Sequence, residues 1–183
     1  MVAGCVIMFT FSILWFLIGI AGGRFSPMVV RAGIVIVGIV LLAWVLMLRR
    51  KINRLAQNAL SLTAEQEELD RQLGRRFGWI NGIQGGAIIA SIVVLNIVRR
   101  PDFIAPVIAV IVGLHFLPLV GLFQRPLYYA TGILGTTIGI AGFFIADPST
   151  RQSLVGLSFG LLLWLTVTVM LWNVSRAVRM MQE

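Results

Sequence analysis

Residues 103–124 read Phe-Ile-Ala-Pro-Val-Ile-Ala-Val-Ile-Val-Gly-Leu-His-Phe-Leu-Pro-Leu-Val-Gly-Leu-Phe-Gln, with no charged residue. A helix needs about 20 mostly apolar residues to cross roughly 30 Å of hydrocarbon. This stretch meets that length, and its only deep polar side chain is His115. Five further stretches read the same way: 2–23, 27–48, 77–98, 126–146 and 153–174. Only the second of the six carries a charge, Arg31 in its first turn, where a long side chain snorkels to the interface. The expected fold is therefore all-α, one polytopic membrane domain over residues 1–183 with six transmembrane helices.

The composition agrees. Hydrophobic residues make up 58% of the chain and charged residues 12%, against roughly a quarter charged in a soluble domain. One cysteine (Cys5) excludes a disulfide scaffold. One cysteine and one histidine cannot fill a four-ligand zinc site, so no metal and no other cofactor is expected.

Arginine and lysine placement predicts the topology. Arg49, Arg50, Lys51, Arg54, Arg71, Arg75 and Arg76 lie between spans two and three, and with that connector inside, Arg125, Arg176 and Arg179 are inside too. Arg24, Arg31, Arg99, Arg100 and Arg151 fall outside, with Asp102 and Asp147 as available partners. Both termini are expected in the cytoplasm. The net charge of +8 is then a topology signal and an attraction for anionic lipid headgroups, with no nucleic acid implied.

The connector 49–76 is the one sizeable polar stretch. Its second half reads as a separate short helix, with Thr63 as N-cap, Gln66 completing a capping box, and Gly74 supplying the C′ position. It serves as a solvated link or as a docking site for a cytoplasmic protein partner.

A shift of 120 residues brings Ile18-Gly19-Ile20-Ala21-Gly22 onto Ile138-Gly139-Ile140-Ala141-Gly142 and Arg31, Trp44 and Asn53 onto Arg151, Trp164 and Asn173. A parallel repeat of helices one and two with five and six would explain this, and such repeats place a site near the midplane. Small residues also recur at helical spacing: Gly78, Gly82, Gly86 and Ala90; Gly132, Gly135, Gly139 and Gly142; Gly156 and Gly160. In lipid such strips let backbones approach closely, within the chain or between copies in a homo-oligomer.

Polar groups deep in a span are costly and default to functional hypotheses. His115 stands one residue from the Leu114 carbonyl, which Pro118 deprives of its helical donor. At comparable depth lie Gln84, Ser91, Thr136, Thr137 and Thr166, and Asn81 shares a broad face with Gln84 and Ser91. A midplane cluster of His115, Gln84, Ser91 and Thr137, with Thr136 and Asn81 nearby, is expected either to bind a substrate or to knot helices three to five together. Trp164 is expected near mid-span, against a cavity.

The absences narrow the function. No acidic residue lies in a core segment, which removes the buried carboxylate that proton- and sodium-coupled pumps rely on. No phosphate loop, HExxH or GxSxG setting occurs, so no catalytic residues are assigned and the chain is not expected to be an enzyme. The run Gly113-Leu-His115-Phe-Leu-Pro118-Leu-Val-Gly-Leu-Phe, then Pro126-Leu-Tyr128-Tyr129-Ala-Thr-Gly132, loosely resembles small bacterial six-helix integral membrane families of unknown function. That resemblance implies a bacterial inner membrane and supplies no activity. The reading that gathers most of these features is a small transporter or permease-like protein moving a neutral or anionic solute. The alternative is a non-transporting subunit that docks a partner through 49–76.

Overall fold

A computed structural model describes residues 2–23, 33, 35–44, 46–47, 50 and 64–180. Among them every regular element is helical: α1 (Val2–Ala21), α2 (Val35–Trp44), α3 (Ala64–Ile97), a 3₁₀ turn (Pro101–Phe103), α4 (Ile104–Phe123), α5 (Leu127–Phe143) and α6 (Pro148–Met180). Three helical stretches are long and apolar enough to cross a membrane: Arg71–Ile97, Pro101–Phe123 and Pro148–Arg176. Ile7–Ala21, Val35–Trp44 and Leu127–Phe143 are shorter apolar helices. Exposed Ile, Leu, Val and Phe side chains coat the bundle. That much exposed apolar surface is a liability in water and is compatible with a membrane protein.

The helix ends follow local chemistry. Pro148 opens α6 where its missing N–H has no partner to lose, and Asp147 caps the turn by accepting from the Thr150 amide (2.8 Å) and hydroxyl (2.6 Å). α4 closes on Gln124 in the left-handed conformation (φ 52°), ahead of Arg125-Pro126. Where a break is expected at Gly74, the structure differs: α3 runs unbroken for 34 residues. A helical glycine costs only about 1 kcal/mol, and Phe77 and Ile80, one and two turns on, pack against the core and carry the helix through. The Thr63 cap, Lys51, Arg54, Arg24 and Arg31 lie outside the described residues, as does most of the 49–63 connector.

Two tight helix pairs form the bundle. α1 lies along α6, where a Cβ on Gly156 would come within 2.6 Å of the Gly19 Cα. α4 lies along α5, where a Cβ on Gly139 would come within 2.6 Å of the Val110 amide nitrogen and one on Gly113 within 2.8 Å of the Gly135 carbonyl carbon. Only hydrogen fits at these positions. The pairs meet where Phe159 stacks on Trp15 (centroids 4.4 Å apart) and presses against Gly135, and where the Thr131 and Thr166 hydroxyls share a hydrogen bond of 2.9 Å.

α2 rests on this frame through Leu41, which joins Phe9, Phe16 and Trp164 in a second apolar cluster. Trp164 is thus packed on Phe16 (4.4 Å) and is not among the residues that line the cavity described below, and its indole Nε1 has no hydrogen-bond partner among the described residues. α3 flanks α4, held in part by an edge-on contact of Phe77 with Phe123 (5.8 Å).

The two halves of the 120-residue match make different contacts. Gly19 approaches α6, whereas Gly139 approaches α4.

Candidate functional site

α1 and α3 scarcely touch among the described residues, and the space between them is a cavity of about 460 Å³ floored by α4 and α6. Ile7, Met8 and Phe11 form the α1 wall. Leu73, Gly74, Phe77, Asn81 and Gln84 form the α3 wall. Val112, His115, Phe116, Leu119 and Phe123 line it from α4, and Leu163 and Met170 from α6. Tyr128 and Arg125 close the end where α4 turns into α5. The cavity thus lies toward one end of the bundle, where α1, α3 and α5 begin. Its volume falls in the ~300–1,000 Å³ range of small-molecule sites, which are mostly apolar with a few convergent polar groups.

Three expected site residues meet here: Asn81, Gln84 and His115. They differ in what their polar atoms already do. Asn81 donates from Nδ2 to the Phe77 carbonyl (2.8 Å), which leaves its Oδ1 as acceptor. Gln84 and His115 make no hydrogen bond to any described residue; the imidazole has only an edge-on ring contact with Phe116 (6.0 Å). A glutamine amide offers two donors and an acceptor, and a neutral imidazole offers one of each. All of that capacity is turned toward half-buried apolar space.

The remaining members of the expected cluster line no part of this cavity. Ser91 donates to the Ala87 carbonyl (2.7 Å), Thr136 to Gly132 (2.8 Å) and Thr137 to Ile133 (2.9 Å). Each hydroxyl is satisfied by the carbonyl four residues back, a bond that hides a polar group inside its own helix. Thr137 is exposed, and Thr136 sits against Gly113 in the α4–α5 contact. Sequence depth places all these residues at one height. It does not reveal which share a face, nor that the apolar Ile7, Met8 and Phe11 of α1 supply a wall.

The glycines divide likewise. Gly135 and Gly139 lie in the α4–α5 contact, while a Cβ on Gly78, Gly82 or Gly86 would meet nothing within 4 Å among the described residues. That face of α3, with Trp79 76% exposed, is turned outward.

Of the basic residues expected at the far end, Arg99 and Arg100 are exposed, whereas Arg151 is 4% exposed. Its Nη1 pairs with Asp102 at 2.5 Å, its Nη2 donates to the Ile145 carbonyl at 2.6 Å, and its guanidinium lies over the Phe103 ring at 4.0 Å. One buried side chain thereby joins the start of α4, the end of α5 and the start of α6. With its donors engaged in these contacts, it is a structural clamp. Among the described residues no three His, Cys, Asp or Glu side chains gather to hold a metal ion. Comparisons of the chain with protein-family models, curated proteins and solved structures gave no match.

Proposed function

We propose that the chain is a small membrane transporter or permease-like protein whose binding site is the α1–α3 cavity, with Gln84 and His115 as the groups that recognise the solute. The observation that carries this reading is that both side chains line the same cavity with no hydrogen-bond partner among the described residues. Polar atoms engaged by protein hold a fold together, whereas polar atoms left open in an apolar cavity are available to a ligand. In this reading the chain spans the bilayer six times with both termini in the cytoplasm. The cavity then opens toward the cytoplasmic half of a bacterial inner membrane, on the side of Arg71, Arg75, Arg76 and Arg125. No carboxylate is among the described residues that line the cavity, which favours gradient-driven movement of an uncharged or anionic solute over carboxylate-based proton coupling.

The test is melting temperature of the purified protein against a panel of small metabolites, anions and lipophiles. A ligand that binds only the folded state stabilises it by about 2.7 kcal/mol at a hundredfold excess over Kd. We expect a saturable shift that His115→Ala and Gln84→Leu both abolish, followed by uptake of that solute into proteoliposomes. Because neither side chain has a described partner to strand, each unliganded variant should melt within a few degrees of the parent. A large loss of stability in both, with no shift from any compound, would make the pair structural.

A further inference from the structure

We infer that the occupant of the α1–α3 cavity is a neutral lipophile carrying a hydroxyl or carbonyl group, and that it enters sideways from the hydrocarbon between α1 and α3. The inference rests on the binding-site reading above and narrows its solute class.

Three observations converge on it. The first is the wall: apart from Asn81, Gln84, His115, Arg125 and the Tyr128 phenol, the described lining side chains are apolar. A hydrophilic solute would lose its water there with little in return, and an unpaired ion would lose far more. The second is the chemistry of the deep polar pair. Gln84 and His115 offer uncharged donors and acceptors, and among the described lining residues the one charged group, Arg125, stands at the end of the cavity beside the α4–α5 turn. His115 lies eight residues before the end of α4, about 12 Å along its axis at 1.5 Å per residue, and Arg125 stands beyond that end. A hydroxyl or carbonyl matches this uncharged pair, where a carboxylate would meet no described cation on the turns that carry Gln84 and His115.

The third is the route. Ile7, Phe11 and Leu73, on the two helices that flank the gap, are each more than one-third exposed although they also line the cavity. The cavity is therefore continuous with the bundle's apolar exterior along its side. A molecule dissolved in hydrocarbon reaches Gln84 without crossing water, apolar body first against Phe77 and Phe11 and polar group last against the amide and imidazole.

The test uses the full chain in phosphatidylcholine vesicles. Two photoreactive probes share one long chain with a diazirine midway; one ends in a primary alcohol and the other in a trimethylammonium group. The alcohol should label peptides containing Ile7–Phe11 and Phe77–Gln84 saturably, with competition by the unlabelled alcohol. Gln84→Leu or His115→Leu should each reduce that labelling about 3- to 10-fold, the worth of one hydrogen bond. Gly74→Trp should block it by filling the gap. Gly86→Trp, on open surface outside the cavity, should leave it unchanged. The trimethylammonium probe should label only the outer surface.

Equal cavity labelling by both probes, labelling that does not saturate, or indifference to Gly74→Trp would overturn the inference. If a water-soluble solute gives a melting shift that needs Gln84 and His115 while the alcohol fails to compete, the site stands and the lipophile falls. If neither binds, both readings fall.

Discussion

Two helices of this bundle carry glycines at helical spacing and use them in opposite ways. On α5, Gly139 lets α4 approach until a single added methyl would collide with backbone, and Gly135 makes room for the Phe159 ring of α6 as well as for Gly113. On α3, Gly78, Gly82 and Gly86 form an equally regular strip that no described residue covers. A small-residue strip is therefore a capacity for close approach and not evidence of a partner. What separates the two is the facing surface. α4 presents Gly113 and Pro106 where α5 arrives, so the surfaces mesh along their length. α3 is held to the core by Phe77, Ile80 and Ile88 on its other side, which turns its glycines away.

The most damaging way to probe this contrast is Gly139→Leu. With the Val110 amide 2.6 Å from the new Cβ, the helices must separate, and a loss of more than about 3 kcal/mol is expected. A melting temperature near that of the parent would show that the α4–α5 contact is not the tight one. Next comes the clamp at the far end of that pair. Arg151→Met strands the Asp102 carboxylate and the Ile145 carbonyl, and removing one partner of a buried ion pair costs about 3 kcal/mol or more. The loss should be largely independent of salt, since Arg151 is shielded from solvent.

The opposite sign is expected on α3. Gly82→Ala meets open space and removes a helical glycine, so the variant should gain up to about 1 kcal/mol. A marked loss would mean that something packs on this face. The smallest effect belongs to Thr131→Val, which ends the hydroxyl bond between α5 and α6. Hydrogen bonds of this kind between membrane helices average about 0.6 kcal/mol, and chemical denaturation in detergent can resolve that difference.

Much of this architecture is legible in the sequence because the signals are long. Six apolar stretches separated by charges or prolines leave little room for anything but helices, and each described helix overlaps one of them. Lengths are less legible. α6 continues from Pro148 to Met180 and α3 begins at Ala64, since a helix that is already nucleated extends through polar turns at little cost. In the site, Gln84 and His115 could be singled out as polar groups at matching depth. Ser91, Thr136 and Thr137 give the same signal for a different reason, because a hydroxyl bonded to its own helix looks identical in sequence to one that is free. The α1 wall gives no signal at all, since Ile7, Met8 and Phe11 resemble any other apolar turn.

The unbroken passage of α3 through Gly74 has a mechanical consequence. At 1.5 Å per residue its 34 residues make a rod about 51 Å long, well beyond the ~30 Å of a hydrocarbon layer. The turns around Glu68 and the turn that holds Gln84 belong to this one rod, with no hinge between them. The polar turns that open the helix and the wall of the cavity are thus parts of one continuous helix.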